Sequence, residues 1–256
     1  MYIDVKDVSV SFPQGGGTFE ALKEVSLSIE KGEFICLLGP SGCGKSTLMN
    51  LLAGFEKPSK GEILIDGKKV TGPSSKYLTI FQNYGLFPWR TVLHNVELGL
   101  EAAGMKKEER AKQALKYLEM VGLDQARDKR PGQLSGGMQQ RVAIARALVA
   151  EPEILFMDEP FGALDAITRM KLQDDILRIC KEEGKTIIFV THDIEEAVFL
   201  ADRIVVMEAN PGSVRSIVKV EMPHERERTS DDFIVFRDKV FALMHLKKEK
   251  EVEYYI

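Results

Sequence analysis

Apolar residues return at close to every second position at the start of the chain: Ile3 and Val5, then Val8, Val10 and Phe12, then Val25, Leu27 and Ile29. This alternation predicts half-buried strands joined through a flexible Gly15-Gly16-Gly17 turn. The pattern then changes. Phe34-Ile35-Cys36-Leu37-Leu38 is apolar without interruption, as a strand covered on both faces requires. Further strands are predicted at 62–66, 78–81, 154–158, 186–191 and 203–207, and a helix near Lys45. Between about residues 84 and 150 the period lengthens: Val92, Val96 and Leu100, then Ala111, Leu115, Leu118 and Val121, then Val142, Ala145 and Leu148 have helical spacing.

A strand-rich part, 1–83 with 151–256, therefore encloses a helical insertion at about 84–150. After residue 150 short apolar strands alternate with helices such as 167–182, which predicts a parallel sheet with crossover helices. Phe233, Phe236, Val240, Leu243 and Met244 predict a closing helix over 233–246, and the mixed-charge last ten residues are expected to fray.

Charge and composition narrow the function classes. Lys and Arg number 35 against 39 Asp and Glu, a net charge of −4 that argues against a bulk nucleic-acid binder. The longest apolar runs, 34–38 and 197–201, have five residues and cannot cross a bilayer. Met1-Tyr2-Ile3-Asp4 lacks the basic segment and apolar core of a secretion signal. Cys36, Cys43 and Cys180 are odd in number and far apart, which reads as reduced thiols rather than a disulfide or zinc framework.

The first chemistry-bearing segment is Gly39-Pro40-Ser41-Gly42-Cys43-Gly44-Lys45-Ser46-Thr47, which fits G-x-x-x-x-G-K-[ST] after a buried strand and before a helix. The glycines let backbone N–H groups converge on phosphate oxygens, and the helix start adds partial positive charge. Lys45 supplies a full charge to the β- and γ-phosphates, and the Ser46 hydroxyl can ligate Mg²⁺. Cys43, near that helix start, is expected to favour thiolate and to be protected from thiol reagents by MgATP. The second segment, Ile154-Leu155-Phe156-Met157-Asp158-Glu159-Pro160, places two acids at the carboxyl end of a buried strand, where open α/β sheets bind ligands. Asp158 would hold Mg²⁺ and Glu159 would orient or deprotonate the attacking water. Alone such a pair is commonly a solvated turn; with the phosphate loop it predicts a nucleoside triphosphatase.

The third segment is Leu134-Ser135-Gly136-Gly137-Met138-Gln139-Gln140-Arg141, running into a helical pattern that Ser135 can cap. It resembles the signature sequence of the ABC-type ATPases, and the rest of that set follows in order. Gln82 stands where the family has its Q-loop glutamine, Ala163-Leu164-Asp165 where it has the D-loop, and Thr191-His192-Asp193 where it has the switch histidine. Phe12 takes the place of the adenine-stacking aromatic, with Phe19 across the glycine turn as a competing candidate. The resemblance covers residues 2 to 225. It implies an α/β fold with a P-loop NTPase core of ABC ATPase type, an antiparallel β part and the helical subdomain inserted into one nucleotide-binding unit.

It also implies a mechanism in two copies, from a homodimer or a pairing with a related ATPase subunit. Ser135, Gly136, Gly137 and Gln139 would contact ATP held by the other subunit, and Asp165 would lie across the interface. Glu159, His192, Gln82 and Lys45 would carry catalysis, with Ser46, Gln82 and Asp158 around Mg²⁺. Tyr84, Leu86, Phe87 and Trp89 form an apolar loop just after Gln82, to be read either as core or as a partner groove. In ABC transporters this region receives the membrane permease. Phe87-Pro88-Trp89 with Thr91-Val92 and Asn95-Val96 is similar to importers of nitrate, sulfonates, taurine and related solutes, which also use an extracytoplasmic solute-binding protein. The expected place is the cytoplasmic face of the inner membrane. An exporter ATPase of lipoprotein or peptide type is the alternative, with a soluble non-transport ATPase behind it. The charged clusters at 106–109 and 225–228, including Arg226 and Arg228, are expected to be solvated.

Overall fold

The computed structural model describes residues 1–81, 83–223 and 226–244. In chain order, β1 (Ile3–Gln14), β2 (Gly17–Ile29), β3 (Phe34–Leu38), α1 (Lys45–Ala53), β4 (Lys60–Ile65), β5 (Lys68–Lys69) and β6 (Tyr77–Ile80) come first. Four helices follow: α2 (Val92–Val96), α3 (Leu98–Ala102), α4 (Lys107–Met120) and α5 (Gly136–Leu148). The chain then alternates through β7 (Ile154–Asp158), α6 (Ala166–Glu182), β8 (Thr186–Thr191), α7 (Ile194–Leu200) and β9 (Arg203–Glu208), and continues with β10 (Ser213–Lys219) and α8 (Asp231–Leu243).

The strands form two sheets. One is antiparallel, in the order β2-β1-β4-β5; the other has the order β10-β9-β3-β8-β7-β6. In the second, β9, β3, β8, β7 and β6 are parallel neighbours and β10 adds an antiparallel edge. Continuous apolarity in its strands resolves into two faces. Phe34, Cys36, Leu38, Leu155, Met157, Ile187 and Phe189 turn toward the helices, while Ile35, Leu37, Ile154, Phe156, Ile188 and Val190 turn toward α1 and the antiparallel sheet. The central strands β3, β7 and β8 therefore bury both their odd and their even residues.

The three-residue step from Val5 to Val8 marks an irregularity in the register of β1 with β2, and Asp7 has φ +47°. Bulges of this kind let an alternating pattern slip by one residue without exposing its apolar set. Gly15 and Gly16 both have positive φ in the turn that pairs Gln14 with Gly17, as a tight right-twisting hairpin needs.

Two expectations change here. The helical pattern of Val92, Val96 and Leu100 breaks at Glu97 into α2 and α3. Arg226, expected on a solvated face, is buried, and its guanidinium donates to the carbonyls of Val198, Phe199 and Ala201 at 2.8–3.0 Å. Those carbonyls lie at the end of α7 and lack partners within the helix, so a cation is well placed there. Arg228, expected in the same role, stacks 3.5 Å above the Phe199 ring and donates to Gln173 at 2.6 Å. The segment at 226–228 thus packs onto the core. The closing helix is observed as α8, and its expected last residues, with the last ten of the chain, lie outside the described residues.

Candidate active site

Four adjacent parallel strands deliver the chemistry. The phosphate loop follows β3, the switch segment follows β8, the paired acids end β7, and Phe81 follows β6. Register places Leu38 beside Thr191 and Asp158 beside Val190, so these carboxyl ends lie level along one edge. Open α/β sheets bind ligands in that crevice.

The loop from Gly39 to Thr47 winds closely on itself. Gly42 and Gly44 have φ +79° and +90°. A Cβ on Gly44 would sit 2.5 Å from the Leu22 side chain, and one on Gly39 would sit 2.6 Å from the Met207 carbonyl and 2.7 Å from Cys43 Sγ, so neither position has room for a larger residue. Lys45 is 7% exposed, and its ammonium donates to the carbonyls of Gly39 (2.8 Å) and Pro40 (2.9 Å). The Ser46 hydroxyl donates to Asp158 Oδ1 at 3.2 Å, joining the first turn of α1 to the end of β7.

The Cys43 thiol does not match its sequence expectation. Its side chain is fully buried beneath the loop, and desolvation pushes the thiol up from its ordinary value, against the lowering influence of Lys45. The helix start favours thiolate only where solvent or a cation also reaches the sulfur. Here burial outweighs both.

Burial likewise raises Asp158, with Glu159 adding to the shift and the Ser46 hydrogen bond opposing it. Glu159 has φ +46°, a left-handed backbone that a non-glycine residue adopts only under constraint. Its N–H donates to the Val190 carbonyl at 3.0 Å, and Phe161 anchors the same turn by packing 5.5 Å from the Phe189 ring. Oε1 of Glu159 faces Nδ1 of His192 at 3.1 Å. Thr191 Oγ1 accepts from the Asp193 N–H at 3.0 Å, and the Asp193 carboxylate caps α7, so the turn carrying His192 is fixed on both sides. Lys45, Ser46, Asp158, Glu159 and His192 thus lie at one crevice.

Other expected residues lie apart from it. Ser135 caps α5 by accepting from the Met138 N–H at 3.3 Å, and Gln139 donates to the Leu134 carbonyl. Ser135 and Gly136 are exposed, and among the described residues no hydrogen bond joins them, Gly137 or Gln139 to the phosphate loop. Asp165 is also exposed; it caps α6 and is held below its ordinary value by the Thr168 N–H. Phe12 and Phe19 are direct cross-strand partners, with Phe12 packed partly on the core and Phe19 44% exposed. Gln82 lies outside the described residues. Sequence reading missed Arg146, whose guanidinium donates to the carbonyls of Tyr84 (2.9 Å) and Gly85 (2.7 Å).

The family model described as ABC transporter matches residues 22–162. The chain belongs to the ABC transporter family. It is 44% identical over 240 residues to the aliphatic sulfonates import ATP-binding protein SsuB of Bacillus cereus, covering 94% of each chain. It is 48% identical over 232 residues to the bicarbonate transport ATP-binding protein CmpC of Synechococcus elongatus, covering 89% of this chain and 35% of that one. An ABC transporter ATP-binding protein of Methanocaldococcus jannaschii is 48% identical over 242 residues, 94% of this chain and 91% of its own. Among solved structures, a dimeric post-hydrolysis ATP-binding cassette bound to ADP and phosphate matches with TM-score 0.80 and 38% identity, over 86% of this chain and all of that one. The chain is thus an ABC ATPase that binds ATP, with the expected α/β cassette fold. No described helix is long and apolar enough to cross a membrane.

Proposed function

We propose that this chain is the ATP-hydrolysing subunit of an importer for a small oxyanion, working as a head-to-tail pair on a separate membrane permease. The observation that carries the reading is the crevice shared by Lys45, Ser46, Asp158, Glu159 and His192, with the capped glycine start of α5 outside it. One protomer thus holds half of each site, and its partner's Ser135, Gly136, Gly137 and Gln139 complete the other half, with Asp165 at the seam. Residues 1–83 and 151–256 form the core and 84–150 its helical insertion.

The loop N–H groups and Lys45 bind the triphosphate, and Phe12 or Phe19 stacks on adenine. Ser46 and Asp158, already within hydrogen-bond reach, are hard oxygen donors that suit Mg²⁺. Ser46, Asp158 and Gln82 would hold the ion, which when bound would neutralise charge on the phosphates. Glu159 takes the proton of the attacking water, and His192 bonds the γ-phosphate beside it.

A docking face for the permease lies next to this site. Trp89 is 68% exposed and packs at a tilt on Phe87 at 5.2 Å, and Phe81 pairs with Phe55 at 5.7 Å, so exposed aromatics stand on both chain sides of Gln82. An apolar groove of about 660 Å³, lined by Leu78, Leu98, Gly99, Ala102, Ala143 and Ala147, runs between the sheet edge at β6 and helices α3 and α5. A short amphipathic helix of a membrane subunit fits this groove. The solute class rests on the names of the relatives, bicarbonate and aliphatic sulfonates, and on the likeness of the 87–96 segment to nitrate and taurine importers. The test is cross-linking from a Trp89→Cys variant in membranes, followed by ATPase assay of the purified complex with its solute-binding protein. Attachment to a multispanning subunit with solute-stimulated hydrolysis is expected. A permease without any binding protein would make the system an exporter, and a chain that contacts no membrane subunit would overturn the transport reading.

A further inference from the structure

Directly behind the switch turn lies a buried polar chain that the mechanism above does not use. Glu196, on the first turn of α7, is 8% exposed, yet both carboxylate oxygens are engaged. Oε2 accepts from the Thr191 hydroxyl at 2.7 Å, and Oε1 accepts from the Gln173 amide at 3.2 Å. The Gln173 carbonyl oxygen accepts in turn from the Arg228 guanidinium at 2.6 Å, and Arg228 stacks on Phe199 of α7. Arg169 stands 3.9 Å from both Glu196 Oε1 and Asp193 Oδ2. Withdrawing a carboxylate from water is costly unless every lone pair finds a donor, so this group is a specific arrangement and not a chance of packing.

The chain's two ends define what it can do. At one end Thr191 sits immediately before His192, and its Oγ1 donates to Glu196 while accepting from the Asp193 N–H, so one hydroxyl fixes the backbone on either side of the imidazole. At the other end Arg228 and Arg226 belong to the segment between β10 and α8. Arg226 grips the carbonyl end of α7 while Arg228, through Gln173 and Glu196, grips its amino-terminal end. The helix that follows His192 is therefore held at both ends by residues from a segment 25 or more positions away.

We propose that Glu196, held by Gln173 and Arg228, is a positioning residue for His192, so that the segment around Arg228 sets the geometry of the switch turn. It rests on the reading of His192 as a γ-phosphate ligand and extends that reading to a part of the chain outside the nucleotide site. Glu196 touches no substrate; it acts through Thr191. A small displacement of a reacting group can lower a rate by about 10²-fold, so the loss falls on turnover and not on ATP affinity.

The test compares Glu196→Ala, Glu196→Gln and Arg228→Met by kcat and KM for ATP, together with ring ¹⁵N spectra of histidine-labelled protein. The chain has four histidines, and His192 is assigned by its disappearance in His192→Ala. Glu196→Ala is expected to lower kcat about tenfold or more with KM within about twofold, and to shift or broaden the His192 signals. Glu196→Gln keeps an acceptor for the Thr191 hydroxyl and should recover most of kcat. Arg228→Met retains the apolar stem over Phe199 while removing the fork; it should show a smaller kcat loss with the same His192 shift, and it carries the test if Glu196→Ala fails to fold. Unchanged His192 signals in both Glu196→Ala and Arg228→Met would overturn the inference, whatever the rates. Full hydrolysis by His192→Ala would instead sink the role assigned to His192, and the His192 shifts would still decide whether Glu196 positions it.

Discussion

His192 Nδ1 and Glu159 Oε1 are 3.1 Å apart although 33 residues separate them in the chain. The contact exists because β7 and β8 are parallel neighbours in register, which brings their carboxyl ends side by side. Replacing Glu159 by Gln keeps the shape of that contact and removes the base. Phosphate release should fall by about 10² to 10⁴-fold while ATP binding persists, and size-exclusion chromatography with MgATP should show the paired form accumulating. Hydrolysis at the parent rate would remove Glu159 from the mechanism.

Asp158 carries a pH signature. Burial lifts its carboxyl above the ordinary range, so the folded chain takes up that proton before the unfolded chain does. Stability attached to this group is therefore lost as pH rises from the ordinary aspartate range, about pH 4, through the raised folded value. Asp158→Asn should raise the thermal midpoint at neutral pH and lose that advantage below about pH 4 in scanning calorimetry, while hydrolysis collapses. A variant that melts lower than the parent at neutral pH would contradict it.

The three cysteines should resist thiol reagents together. Cys36, Cys43 and Cys180 are all buried, and each thiol is raised primarily by desolvation. Iodoacetamide at pH 8 should leave the native chain unlabelled by mass spectrometry with or without MgATP, and label all three in denaturant. Rapid native labelling at Cys43 would restore the exposed-thiolate reading.

Arg226→Ala strips a buried cation from three carbonyls at the end of α7. The loss should be about 2–3 kcal/mol, lowering the thermal midpoint by roughly 4–10 °C. Lys219, whose pairing with Glu221 is largely in solvent, supplies the contrast: its alanine variant should melt within about a degree of the parent. Equal melting of the two variants would remove the capping role of Arg226.

Asn95 holds the aromatic loop. Fully buried, it accepts from the Phe87 N–H and donates to the carbonyls of Phe87, Arg90 and Thr91. Trp89 is the sole tryptophan, so its emission reports on this loop alone. Asn95→Ala should cost about 1–3 kcal/mol and raise Trp89 anisotropy decay to that of a free loop, with reduced permease attachment. An unaltered decay would mean the loop is held by its rings.

What could be read from the sequence was local. The phosphate loop, the acids ending β7 and the Ser135 cap each depend on a few consecutive residues whose types and spacing state their own chemistry. Cys43 departs from its expectation because its burial comes from the core packed around it and from the close approach of Gly39, neither of which its place before a helix start reveals. Arg226 and Arg228 were misread because alternation with glutamates resembles a solvated face, while their partners lie 25–28 and 55 positions away. The aromatic loop divides between the two readings it allowed: Leu86 packs against the core while Trp89 remains exposed.

Gly136 and Tyr84 have a mechanical consequence. A Cβ on Gly136 would meet the Tyr84 hydroxyl at 3.2 Å, while the Tyr84 carbonyl is held by Arg146, ten residues further along α5 and so about 15 Å down its axis. Tyr84 therefore meets α5 at two places, its hydroxyl beside the glycine start and its carbonyl on the Arg146 guanidinium that reaches back toward it. One loop residue thus meets α5 both at its glycine start and through a side chain about three turns on, so the loop after Gln82 and the tip of α5 share a neighbour.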